Sequence, residues 1–169
     1  MKREFKNIVL IGMPGSGKTT IGKMLSDKLN KKLIDIDGCI EKQQGRTISE
    51  IFKGGEEYFR NLELKAVEQA SEKEDVIIST GGGVIKNKKN ILNLRKKGLI
   101  IFIDRPLRNI ISDLDIMNRP LLKNDIGQIE KVFEDRYHIY KNYCDFFVEN
   151  IYTIEKVLKD IIKIYNDNM

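Results

Sequence analysis

The run Gly12-Met13-Pro14-Gly15-Ser16-Gly17-Lys18-Thr19 has the spacing G-x-x-x-x-G-K-[ST], and the chemistry such a run can do is to hold phosphate. Its glycines let backbone amides approach and wrap a β-phosphate, Lys18 can reach the β- and γ-oxygens, and the Thr19 hydroxyl is placed to ligate Mg²⁺. An apolar run, Ile8 to Ile11, precedes it and a helical pattern follows. A helix starting there aims its positive end at the anion.

Other polar groups stand where a phosphoryl acceptor would need them. Asp35-Ile36-Asp37 closes a short apolar run and reads as the carboxyl end of a strand, with its two acids at i and i+2 pointing alike. One acid can hold Mg²⁺ through its water shell, while the other accepts the proton of an attacking hydroxyl. Gly81-Gly82-Gly83 follows a further apolar run, and three glycines at that edge suggest backbone pressed against a ligand, with amides free to donate. Arg60 and Glu63 are three apart in a helical pattern, close enough for the carboxylate to hold the guanidinium in place.

The elements that must position these groups are legible in outline. Apolar runs at Ile8 to Ile11, Leu33 to Ile36, Val76 to Ile78, Leu99 to Ile103 and Phe146 to Val148 alternate with helical spacing. Strands apolar on both faces and separated by helices predict an α/β fold with a parallel sheet covered on each side. Thr47-Ile48-Ser49-Glu50 is a capping box, and Ile154, Val157, Leu158, Ile161, Ile162 and Tyr165 predict an amphipathic closing helix. From Ser112 to Ile126 the periodicity is lost among Asp113, Asp115, Asn118, Pro120 and Asn124. That stretch reads as a mobile loop around an isolated Arg119.

Composition narrows the class. With 169 residues, 41% hydrophobic and 33% charged, the chain fits one globular domain. Cys39 and Cys144 stand far apart, and His138 is the single histidine, so neither a disulfide scaffold nor a zinc site is expected. No run has the length to span a bilayer and no signal-peptide core is present, which predicts a cytoplasmic protein with no membrane partner. The formal charge of +5 concentrates anions in general. The lysines at Lys31-Lys32, Lys86, Lys88-Lys89 and Lys96-Lys97 are separated and read as solvated helix faces, not as the continuous stripe a nucleic acid would need.

In order and spacing these motifs resemble the shikimate kinase family of P-loop kinases, over nearly the whole chain. The residues that carry the resemblance are Gly12 to Thr19, Asp35 with Asp37, Phe59-Arg60 with Glu63, Gly81 to Gly83, Arg119 to Leu122, and Arg136. The resemblance implies a three-layer fold with a five-stranded parallel sheet of order 2-3-1-4-5. It also implies substrate-binding helices at about 37–62 and a lid at about 112–126 that closes over ATP, in a protein expected to be a monomer. By the same resemblance ATP would be bound by Gly12, Gly15, Ser16, Gly17, Lys18, Thr19, Thr20 and Arg119, and Mg²⁺ by Thr19 and Asp35. Lys18 and Arg119 would stabilise the transferring phosphoryl, and Asp37 would orient and deprotonate the 3-hydroxyl of shikimate. Arg60 and Arg136 would clamp its carboxylate, beside Gly81, Gly82 and Gly83. Where many members carry an arginine against adenine, the nearest match in this chain is Ser112.

Two rival readings share part of this pattern. A gluconate kinase also joins a phosphate loop to a hydroxy-acid substrate, whereas a nucleoside monophosphate kinase would show a longer lid with several arginines. A nucleotide-operated switch would read guanine through an Asn-Lys-x-Asp stretch, and Asn87-Lys88-Lys89-Asn90 lacks the aspartate.

Overall fold

The computed structural model describes residues 4–116 and 123–168. Five strands form one parallel sheet: β1 (Asn7–Ile11), β2 (Lys32–Asp35), β3 (Val76–Ser79), β4 (Gly98–Asp104) and β5 (Phe146–Glu149). Their order is β2-β3-β1-β4-β5, as expected. β1 lies at the centre, with Ile8 in register with Ile77 of β3 and Leu99 of β4.

The alternation of side chains along each strand divides the interior into two layers. Val9, Ile11, Ile78, Ile100 and Phe102 face one side, where they meet α2 (Ile36–Gln44), α3 (Ile48–Phe52), α4 (Glu56–Ser71), α5 (Lys88–Leu94), α6 (Leu107–Ile116) and α7 (Lys123–Tyr143). Ile8, Leu10, Ile77, Leu99, Ile101 and Ile103 face the other, against α1 (Lys18–Leu29) and α8 (Ile154–Asn168). In α8 the buried residues are Val157, Leu158, Ile161 and Tyr165, the stripe that the spacing predicts. The capping box also forms: Thr47 accepts from the Glu50 amide while the Glu50 carboxylate accepts from the Thr47 amide.

Three local expectations are corrected. β2 ends at Asp35, and Ile36 and Asp37 open α2. The acids are therefore a strand end and a helix first turn, not two positions on one strand face. The supposed loop from Ser112 to Ile126 is helical at both ends, since α6 runs to Ile116 and α7 begins at Lys123; residues 117–122 lie outside the described residues. Of the lysine pairs, only Lys88-Lys89 sits on an α-helix. Lys32 is in β2, Lys31 is in the turn before it and pairs with Asp75, and Lys96-Lys97 lies in the turn before β4.

Candidate active site

The carboxyl ends of β1, β2 and β3 open on one cleft of about 380 Å³, lined by Pro14, Gly15, Gly17 to Thr20, Asp35, Asp37 and Thr80 to Gly82. Parallel sheets bind ligands at this edge because successive loops meet there with free backbone groups. Thr19 and Thr20 are exposed into the cleft, whereas Ser16 and Lys18 are buried. Gly17 is the N-cap of α1 with φ of 93°, a left-handed conformation that suits glycine.

Lys18 donates to the Gly12 and Met13 carbonyls at 2.8 and 2.7 Å and to Ser16 Oγ at 3.3 Å. Burial lowers its pKa to about 8, against the opposing pull of Asp37 and Asp35. It is thus an ammonium held at the loop in a setting that disfavours its charge, which an anion nearby would relieve.

Asp37 shows the converse. Burial raises its carboxyl pKa, and the Asp35 charge adds to the effect while Lys18 and Arg60 oppose it. Its Oδ1 is buried with no hydrogen-bond partner among the described residues. A buried carboxylate oxygen without a donor is costly, and Asp37 belongs to the lining of the cleft that a hydroxylated ligand would enter. Burial likewise raises the pKa of Asp35.

A cationic group stands next to the glycine turn, where the Arg60 guanidinium adjoins Gly83. Arg60, on α4, donates from Nη1 to both oxygens of Glu63 at 3.1 and 3.0 Å, and from Nε and Nη2 to Glu56 at 3.2 Å. Glu63 is fully buried, so this is an anchor and not the ordinary surface pair that three-residue spacing alone suggests. Asn90 supports it from α5, donating to Glu63 at 3.5 Å and to the Val84 carbonyl at 3.0 Å. Arg136, on α7, acts electrostatically on Glu63 and Tyr140, as Arg60 does. The two guanidinium groups thus act on the same pair of side chains from different helices.

The glycine turn is shaped by the site's own side chains. A β-carbon on Gly81 would lie 2.9 Å from Asp37 Oδ1, one on Gly82 would lie 2.5 Å from Pro14 Cδ, and one on Gly83 would collide with the Arg60 guanidinium. Tyr140 holds the turn from below, donating to the Gly82 carbonyl at 2.5 Å. Burial pushes its hydroxyl pKa up to about 12, so it stays a donor.

The structure thus lines one cleft with Gly15, Gly17, Lys18, Thr19, Thr20, Asp35, Asp37, Gly81 and Gly82; Gly12 and Ser16 are buried in the same loop, Gly83 adjoins Arg60, and Arg136 acts with Arg60 on Glu63. Arg119 lies outside the described residues. Sequence reasoning missed Pro14, Thr80, Asn90 and the positioning part of Tyr140. Only Tyr140 left a signal, as the tyrosine one helical turn after Arg136 on α7. Phosphate-loop amides, a buried base and a paired-arginine corner can together hold a phosphorylated donor and a hydroxylated anion.

The chain is similar to known proteins over most of its length. A family model described as shikimate kinase matches residues 14–166. A shikimate kinase of Clostridium botulinum (strain Eklund 17B / Type B) is 48% identical over 161 residues, covering 95% of this chain and 98% of that protein. Among solved structures, the shikimate kinase of Aquifex aeolicus superposes with a TM-score of 0.81 at 38% identity, covering 96% of this chain and 97% of that one. That of Acinetobacter baumannii, solved in complex with shikimate, gives a TM-score of 0.88 at 27% identity and covers 97% and 94%.

Proposed function

The chain belongs to the shikimate kinase family, and from that premise we propose that it transfers the γ-phosphoryl group of ATP to the 3-hydroxyl of shikimate. One observation carries the reading: Asp37 lines the cleft together with Lys18 of the phosphate loop, its buried Oδ1 has no hydrogen-bond partner among the described residues, and the Arg60 charge acts on its carboxyl. Arg60 and Arg136 bind the substrate carboxylate and fix the ring. Asp37 orients the hydroxyl and takes its proton, and Lys18 meets the charge that develops on the phosphoryl oxygens. Arg119 adds a second positive charge to that group.

Mg²⁺ fits the residues present. Among the described residues no cluster of three or more His, Cys, Asp or Glu could hold a metal by itself, and the cleft instead offers oxygen donors from Thr19 and Asp35. A hard ion that keeps its waters and rides on the nucleotide phosphates needs no more. When bound it would neutralise phosphate charge, and Thr19 and Asp35 would hold it. The reading carries with it a cytoplasmic monomer with two small-molecule substrates; among the described residues no helix is long and apolar enough to cross a membrane.

The direct test is ADP release from Mg-ATP with shikimate, gluconate, a nucleoside monophosphate or no acceptor. We expect turnover with shikimate alone; turnover with gluconate instead would replace the acceptor, and release independent of any acceptor would favour a hydrolytic switch.

Gly83→Ala probes the carboxylate corner without replacing a charged residue. Gly83 has φ of −95°, which alanine adopts freely, so the cost falls on Arg60, whose flexible side chain must move aside. The variant should fold with a lowered unfolding temperature, because Arg60 must shift against the fully buried Glu63 that it pairs with. Its KM for shikimate should rise roughly tenfold or more, the scale of a charged hydrogen bond lost, with the KM for ATP unchanged. Steady-state kinetics in both substrates would show this, and an unchanged shikimate KM would remove Arg60 from the clamp.

A further inference from the structure

The phosphate loop is gripped from outside the cleft by two parts of the chain distant in sequence. On one side a β-carbon at Gly15 would lie 3.2 Å from Ile110 Cγ2, on α6. On the other, Asn150, just past β5, donates from Nδ2 to the Ser16 carbonyl at 2.9 Å. A β-carbon at Gly17 would lie 3.1 Å from that same nitrogen. Asn150 is only 8% exposed, and its backbone amide donates to the Asp104 carbonyl at 2.8 Å. It is fixed at both ends.

Arg105 joins the two grips. It follows β4 and is 18% exposed, and its Nη1 donates to the Asn150 carbonyl at 2.8 Å. Its Nε and Nη2 engage Asp113 Oδ2, on α6, at 2.9 and 2.7 Å. A continuous line of hydrogen bonds thus runs from α6 through Arg105 and Asn150 to the peptide between Ser16 and Gly17. None of these three side chains lines the cleft around Lys18 and Asp37.

We propose that Asn150 is a positioning residue for phosphoryl transfer, setting the Ser16–Gly17 backbone from behind, and that Arg105 holds Asn150 in place against α6. The inference rests on the kinase reading above. Its physical basis is that a phosphate cradle gains affinity from amides already aimed at the anion, so an error of a fraction of an ångström in one peptide weakens several bonds at once. Asn150 suits the task because the Ser16 carbonyl can only accept, and the side-chain amide supplies a donor at a fixed length from a pinned backbone.

The test compares Asn150→Asp, the same shape with the donor removed, and Arg105→Lys, which keeps the charge but cannot serve Asp113 and the Asn150 carbonyl together. For each variant the measurements are the KM values for ATP and shikimate, kcat, the ADP dissociation constant by calorimetry, and thermal unfolding. In Asn150→Asp the KM for ATP and the ADP dissociation constant should rise roughly 5- to 50-fold, the factor set by one buried acceptor losing its donor. The KM for shikimate should stay within about twofold, since its corner is built by other elements, and kcat should fall with a loop no longer held in register. Arg105→Lys should show the same pattern at a smaller amplitude, and remains readable if the Asp variant does not fold. A purely structural role would lower the unfolding temperature while leaving ADP affinity unchanged, or raise both KM values alike, and either result overturns the proposal. Failure of the wild-type protein to bind ADP at all would overturn the kinase reading, and this inference with it.

Discussion

Asp37→Asn should lower kcat by about 10² to 10⁴-fold, the range a positioned general base contributes, while the KM for shikimate changes little. The asparagine keeps the shape of the side chain and removes the proton acceptor. Two further signs follow from the raised carboxyl pKa of Asp37, caused by burial and by Asp35. Turnover by the wild-type protein should fall as pH drops through that raised value, because the protonated group is no longer a base. Stability runs the other way. Between the unfolded and folded pKa values the folded state binds more protons, so the aspartate destabilises the fold increasingly as pH rises through that window. At neutral pH the asparagine variant should therefore unfold at a temperature no lower than wild type. Pre-steady-state kinetics and thermal melts over a pH series measure both, and a raised KM with intact kcat would reduce Asp37 to a binding group.

Lys18→Met should be comparably severe, with turnover lowered by about 10² to 10³-fold or more, as when a group aimed at developing charge is removed. Burial has lowered the Lys18 pKa to about 8, which gives a second readout. In the free wild-type protein the ammonium is lost as pH rises past that value, so nucleotide affinity should weaken on the alkaline side. In Lys18→Met that alkaline limb should disappear from an ADP titration. Near-normal turnover in the variant would end the phosphate-loop assignment.

Some of this architecture is visible in the sequence because single residue types force it. The interior strands β1, β3 and β4 are buried on both faces, and a run such as Leu99 to Ile103 has no other comfortable place. The phosphate loop is equally plain, since few backbones other than a cradle call for three glycines around a lysine. Asp35-Ile36-Asp37 was harder: Ile36 is apolar enough to continue a strand, and only the packing of Ile36 and Ile40 beneath α2 decides for a helix. The stretch from Ser112 to Ile126 misleads because it joins the end of one helix to the start of another. Each of these helices carries its own apolar stripe, Ile110 with Leu114 on α6 and Ile129 with Val132 and Phe133 on α7, and the phase breaks between them. The supports of the site were not legible at all. Pro14 against Gly82, Tyr140 beneath the same glycine and Asn150 behind Ser16 are contacts between distant segments, fixed by the fold and carrying no local pattern.

The central place of β1 has a consequence during synthesis. Its register partners in β3 and β4 lie about 70 and about 90 residues downstream. At a translation rate of about 5–20 residues per second, the first strand waits on the order of 5–20 s for its second neighbour to emerge. Until then Ile8, Val9, Leu10 and Ile11, fully buried in the finished protein, have no complete sheet to enter. The nascent chain thus displays an incompletely paired apolar strand until β4 has emerged, and the phosphate loop that follows β1 gains a rigid base only then.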